Sequence, residues 1–192
     1  MSLTLRRPKL QRGFTLIELL VVIAIAAILA SMAAPSLTAF INRSAMQSVS
    51  NDFLNGMQRA RAEAVNRNMC TTICKSANTA DAAPRCAPAG DDWHIGWLVY
   101  ANPSCDRAVT AADPANVGDI IVIRQPGDAR YTLIAGGGTP PKSITFGPRG
   151  NIGLNLATTF SLQDSQNLSN TMNRSICVDV MGRTRLAPDG GC

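Results

Sequence analysis

The sequence predicts an α+β protein: one long N-terminal helix, apolar in its first half and amphipathic in its second, followed by a β-rich domain. Three observations predict it. Phe14 to Ala34 is an apolar run whose single charge is Glu18. From Leu37 to Ala64 apolar residues recur at spacings of three or four, the period of a helix with one buried stripe. Beyond Asn68 the pattern changes to short runs rich in Val, Ile, Thr and aromatic residues, separated by Gly and Pro, which reads as strands and turns.

Residues 1–13 read as a leader. They carry Arg6, Arg7, Lys9 and Arg12, so the formal net charge of +5 falls to +1 without them. A body so nearly balanced has no general affinity for polyanions, and any basic site must be local. Residues 14–35 form the apolar half of the helix. A helix over Phe14–Ala34 is roughly 31 Å long, enough to cross a bilayer. A secretory signal would place its cleavage site after the apolar run. Here the possible cut precedes it, at Arg12-Gly13-Phe14-Thr15, and Pro35 follows the run without a cleavage site. A plain signal anchor explains the basic flank by the positive-inside rule, but leaves Glu18 without a reason. A carboxylate at the centre of a membrane helix costs about 2.5–3.5 kcal/mol on insertion scales, which marks it as functional. Thr15-x-x-Glu18 also has the spacing of a capping box, a purely structural role for the same residue.

Pro35 removes a helical hydrogen bond and should kink the helix. Residues 36–68 continue it as an amphipathic segment: Leu37, Ile41, Ala45, Val49, Phe53, Met57, Ala60 and Ala64 make one stripe, with Arg43, Gln47, Asp52 and Arg59 off it. The whole helix is expected from about Thr15 to Asn66. Residues 69–192 form the β-rich domain, with strands expected at Met69–Lys75, His94–Ala101, Asp119–Gln125, Tyr131–Ala135, Ser143–Gly147, Thr158–Gln163 and Ser175–Val180. Ser76–Asp92, rich in Ala, Asp and Pro, reads as an exposed loop. Trp93 and Trp97, at i and i+4 of an expected strand, share a face and fill core.

Six cysteines, all beyond the apolar helix, read as a disulfide framework in an oxidising compartment. Cys74 and Cys86 flank the Ala/Pro loop and would close it; Cys177 and Cys192 would bracket the C-terminal end; Cys70 and Cys105 remain by elimination. A zinc site using Cys70, Cys74, Cys86 and His94 is disfavoured, because no second cysteine pair follows at metal-binding spacing. Enzyme chemistry lacks its inventory. His94 is the only histidine and sits within an expected strand, and the acidic residues form no metal pattern. Gly136–Ser143 superficially resembles a phosphate loop but lacks the G-K-[ST] ending, and Pro140 and Pro141 occupy positions that need N–H donors. No enzyme activity, cofactor or metal is expected.

The stretch Gly13-Phe14-Thr15-Leu16-Ile17-Glu18-Leu19-Leu20-Val21-Val22-Ile23-Ala24-Ile25 resembles the class III signal of type IV pilins and type II secretion pseudopilins. The resemblance implies cleavage after Gly13 by a prepilin peptidase and N-methylation of Phe14. It also implies that Glu18 pairs with the N-terminal amine of a neighbouring subunit during assembly. In a packed helix bundle that amine and carboxylate would offset each other's desolvation, and at i and i+4 Phe14 and Glu18 would share a helix face. The match extends to Pro35.

A second resemblance rests on segments in order: Arg61-Ala62-Glu63-Ala64-Val65-Asn66-Arg67-Asn68, then Trp93-His94-Ile95-Gly96-Trp97, then Ile144-Thr145-Phe146-Gly147-Pro148-Arg149-Gly150, then Met181-Gly182-Arg183-Thr184-Arg185. Together they resemble the GspH/FimT/FimU branch, which holds the minor pseudopilin H of type II secretion and two minor pilins. The resemblance implies a helix packed on antiparallel β-sheet. It further implies an inner-membrane protein with one span and a periplasmic domain, destined for a pilus fibre or pseudopilus and partnered by other pilins or pseudopilins. The family's aspartate after the W-x-x-G-W strand is not matched here; Asn102 and Asp106 are nearest.

In an extended chain Arg183 and Arg185 point the same way, roughly 6.8 Å apart, so two guanidiniums could grip successive phosphates of a nucleic acid. In the FimT branch a G-R-x-R segment at this place is associated with DNA capture. Lys142, Arg149 and Arg174 extend the candidate patch if the fold brings them together. The alternative is a solvated turn with ordinary surface arginines.

Overall fold

The computed structural model describes residues 13–87, 89–106, 119–137, 140–152, 157–166, 173–188 and 190–192, so residues 1–12 of the expected leader lie outside the described residues. The chain divides into two units, residues 1–42 and residues 43–192.

Helix α1 runs from Leu16 to Asn66. Thr15 is its N-cap: its hydroxyl accepts the Glu18 N–H at 3.3 Å and its carbonyl accepts the Leu19 N–H. The helix ends in a Schellman motif. Asn68 adopts φ 51°, its N–H donates to Val65 and the Met69 N–H donates to Ala64, closing the last carbonyls. The direction change expected at Pro35 falls on residues 33–35, whose side chains lie outside the described ones.

In the first unit every described side chain from Gly13 to Met32 is exposed. No single helix among the described residues is by itself long and apolar enough to cross a membrane; Leu16–Met32 and Ser36–Asn66, taken as a pair, meet that length and composition.

In the second unit the helical stripe is buried. Met46, Ser50, Phe53, Met57, Ala60 and Ala64 alternate at spacings of four and three and lie in the core. Ser50 tolerates full burial because its hydroxyl donates to the Met46 carbonyl at 2.9 Å. Leu37 and Ile41, expected on the same stripe, are exposed.

The stripe packs against two four-stranded antiparallel sheets rather than one. The first has strand order β3-β2-β1-β5, from Thr71–Lys75 (β1), Trp97–Ala101 (β2), Ile120–Arg124 (β3) and Ser143–Phe146 (β5). The second has the order β4-β6-β7-β8, from Tyr131–Ala135 (β4), Thr158–Asp164 (β6), Arg174–Val178 (β7) and Thr184–Pro188 (β8). Phe53 is the hub: its ring meets Trp93, Trp97 and Phe160 edge-on at centroid distances of 5.6, 6.2 and 4.8 Å.

The strand expected at His94–Ala101 breaks in two. Trp93–Ile95 is a 3-10 turn, and β2 begins only after Gly96, whose φ of 123° admits glycine almost alone. Asp92 caps that turn, accepting the His94 N–H and the Leu133 N–H, each at 2.8 Å. Trp93 and Trp97 are both core residues, but they come from different elements. His94 is neither a strand residue nor exposed; it is buried against Tyr131 and Gly127. Strand β8 is absent from the sequence expectations.

The loop between β1 and the turn is less free than its composition implies. Ala80–Ala83 are exposed, but Ser76, Thr79 and Cys86 are buried. The Lys75 ammonium, itself fully buried, donates to the carbonyls of Ala89 and Gly90. Burial of that ammonium, reinforced by the neighbouring Lys142 charge, pushes the Lys75 pKa down.

Candidate functional site

The N-terminal processing and assembly residues stand together at the start of α1. Gly13 and Phe14 precede the helix, and Glu18 occupies its third position. Phe14 is therefore not one helical turn from Glu18, as the sequence alone implied; Thr15 ends the helix between them. One half of the capping box is present, the Glu18 N–H on the Thr15 hydroxyl. The Glu18 carboxylate makes no hydrogen bond or ion pair among the described residues. Around it stand Phe14 at 85%, Leu16 at 76% and Ile17 at 65% exposure. An apolar surface this continuous is a burial surface without its partner. The carboxylate within it becomes costly once covered, unless a cation meets it.

The second candidate site lies on the β4-β6-β7-β8 sheet, at the end where β6 and β8 begin and β7 ends. Thr158, Val178 and Thr184 are in register there, as are Thr159, Cys177 and Arg185. A groove of about 780 Å³ opens at this end, lined in part by Thr159, Asp179, Arg183, Arg185 and Cys192. Arg183 and Arg185 thus border one cavity. Arg183 lies just before β8 and Arg185 within it. Both are exposed.

Their surroundings differ. Arg183 donates its backbone N–H to Oδ1 of Asp179 and its Nε–H to Oδ2, both at 2.9 Å. These bonds, the backbone one first, hold the Asp179 carboxyl below the ordinary carboxylate range. Arg185 makes no hydrogen bond or ion pair among the described residues.

The other candidate cations do not converge on the groove. Arg174 opens β7 and pairs in register with Leu162 and Pro188, so it sits at the opposite end of the sheet. Lys142 precedes β5 and is bound to the Asp91 carboxylate and, at 2.7 Å, to the Gly90 carbonyl. Arg149 sits exposed in the turn after β5 and does not line the groove. Of the five candidate residues, Arg183 and Arg185 line the groove.

Three of the sequence segments singled out above meet at a point beside this groove. Gly182 has φ 71°, and a Cβ there would lie 2.1 Å from the Gly150 carbonyl oxygen. That same oxygen accepts the Arg61 Nε–H from α1 at 3.0 Å. The glycine preceding Arg183 is therefore required by backbone packing, whatever the arginines bind.

The cysteines pair as Cys74–Cys86 and Cys177–Cys192, the two pairs expected from the segments they flank, and Cys70–Cys105, the pair left by elimination. Cys74 and Cys86 pack with Leu98 and Tyr100 into a small second core. Cys177–Cys192 ties the chain end beside the groove. Among the described residues no group of His, Cys, Asp and Glu is arranged to hold a metal ion.

Known proteins fall into line with this architecture. Residues 49–182 match the family described as Type II transport protein GspH, and residues 8–34 match the prokaryotic N-terminal methylation motif. The type IV major fimbrial protein FimA of Dichelobacter nodosus is 31% identical over 132 residues, spanning 66% of this chain and 70% of that protein. Two crystal forms of the type IV minor pilin FimU of Pseudomonas aeruginosa share the fold, with TM-scores of 0.55 and 0.52 at 17% identity. They cover 79% and 75% of this chain and 94% of FimU. With the methylation motif running from residue 8 into the first half of the helix and the GspH match across most of the second unit, the chain belongs to the GspH family of type IV pilin-like proteins, whose role is structural rather than enzymatic.

Proposed function

We propose that the chain is a minor type IV pilin. Prepilin peptidase cleaves it after Gly13, Phe14 is N-methylated, and the N-terminal helix carries it from the inner membrane into the pilus, in a tip or priming complex. The observation that carries this reading is the exposed apolar surface from Phe14 to Met32 with the single carboxylate of Glu18 near its start. A membrane covers such a surface in the free subunit, and the helices of other subunits cover it in a fibre. Only the fibre supplies a cation at the right depth, the amine of a neighbouring Phe14. The relatives described as fimbrial protein and minor pilin support the pilus as the destination.

The family description favours a second reading, a minor pseudopilin of a type II secretion system. Shearing surface fibres from cells and sequencing the chain's N-terminus by mass spectrometry separates the two. The pilus reading expects sheared fibres that contain a chain beginning at N-methylated Phe14. A processed chain confined to the envelope, with protein secretion lost on its deletion, would overturn it in favour of the secretion system.

We further propose that the groove bearing Arg183 and Arg185 binds the phosphate backbone of DNA for uptake. Both guanidiniums border one cavity, and Arg185 is unengaged among the described residues. Replacing both arginines should abolish DNA uptake without affecting pilus assembly; normal uptake in that variant would refute the proposal.

A further inference from the structure

The two arginines of the groove are not equally available, and the difference is built into the turn that connects β7 to β8. Residues 179–183 form this turn: the Gly182 N–H donates to the Asp179 carbonyl at 2.8 Å, and the Asp179 N–H donates to the Arg183 carbonyl at 3.0 Å. Asp179 then folds its carboxylate back over the turn. Oδ1 accepts the Arg183 backbone N–H, and Oδ2 accepts the Arg183 guanidinium. The turn has little room to relax, because Gly182 is pressed against Gly150 behind it. The side chain of Arg183 can leave this arrangement: it is 73% exposed, and Asp179 is its one ion-pair partner among the described residues. Arg185 lines the same groove and has no ion pair among the described residues.

We propose that Asp179 is a built-in competitor for the DNA phosphate. Its carboxylate occupies Arg183 in the free protein. A DNA strand is therefore engaged first through Arg185, and a second phosphate takes Arg183 only by displacing Asp179. This rests on reading the groove as the DNA site. A phosphate exchanged for a carboxylate at one guanidinium releases little net free energy, since both are solvated anions on a surface. The device keeps the groove's hold on DNA weak and reversible, as suits a strand that must be handed onward.

The full chain in non-ionic detergent, titrated with a short duplex DNA at several salt concentrations, tests this. Asp179→Asn keeps an oxygen that accepts the Arg183 N–H, so the turn is retained, and thermal melting verifies this for each variant. Asp179→Asn should tighten binding about two- to fivefold and steepen the salt dependence by about 0.9 in log–log slope, one further phosphate contact. Arg183→Ala alone should change affinity by less than about twofold, whereas Arg185→Ala should remove most binding. In the double variant with Asp179→Asn and Arg183→Ala, affinity should return to that of the unaltered protein. A gain that persists in the double variant would reflect net charge alone and overturn the proposal. Unchanged binding by Asp179→Asn, with loss in Arg185→Ala, would overturn the competitor and leave the groove as the DNA site. Undiminished binding by Arg185→Ala would overturn both.

Discussion

Helix α1 is one secondary-structure element with two fates. From residue 43 onward its apolar residues form a stripe, and the stripe is buried: Phe53, Met57, Ala60 and Ala64 are almost wholly removed from solvent. From Leu16 to Met32 the helix is apolar around its whole circumference, and every side chain is exposed. The second segment draws its stability from tertiary packing within its own chain. The first has no such packing among its described residues and takes its surroundings as its solvent, lipid or neighbouring helices. What distinguishes them is the polar complement. Arg43, Gln47 and Asp52 give one segment a wet side, while Glu18 is the only charge in the other.

Substitutions on the packed segment should read out as stability, in order of what they remove. Phe53→Ala takes away the ring that meets three other aromatic rings and should cost about 3–5 kcal/mol in denaturant unfolding. A cost under about 1 kcal/mol would mean that the stripe is not the core's centre. Replacing Cys177 and Cys192 by serine frees a bridge with a sequence separation of 15 and should cost about 3 kcal/mol in the chain-entropy model, with β7 and β8 otherwise retained. Gly56→Ala places a Cβ 2.3 Å from the Trp97 ring. It should destabilise by about 1–3 kcal/mol through overpacking, despite alanine's better helix propensity; a stabilised variant would show that Trp97 can swing aside.

The smallest effect concerns pH. Burial lowers the His94 pKa, opposed by Asp92 and Asp128 and assisted by Arg124. Its Nε2 has no hydrogen-bond partner among the described residues. The unfolded chain therefore binds the proton more readily than the folded one. Stability from this group is complete above the unfolded value of about 6.5 and is lost as pH falls below it. A melting series from neutral to acidic pH should show this loss, and His94→Gln should flatten it.

Much of this was legible in the chain itself, because it rests on local signals. The two helix halves, the stripe from Phe53 to Ala64, the position of Glu18 and most strands follow from periodicity and turn residues. Flanking positions named two of the cysteine pairs, and elimination left the third. What escaped is what depends on distant contacts. The strand at His94–Ala101 is interrupted because Gly96 must pass between the carbonyls of Arg124 and Ser76, residues far from it in sequence. Strand β8 carries exposed Arg185 and Leu186 on an edge, so its pattern shows no buried alternation. Of the expected cations, Arg174 is placed at the opposite end of the sheet from Arg185, which sheet register alone decides, and Lys142 is held by Asp91, a contact between distant segments.

We propose that the unpacked segment of α1 is an assembly element as well as an anchor, and Glu18 tests this most directly. Cells producing Glu18→Ala should be fractionated, and the chain followed by immunoblot in membranes and sheared fibres. The variant should be inserted in the membrane and cleaved after Gly13 like the unaltered chain, yet be missing from the fibres. Glu18→Ala present in fibres at the unaltered level would show that the helix serves only to hold the protein in the membrane.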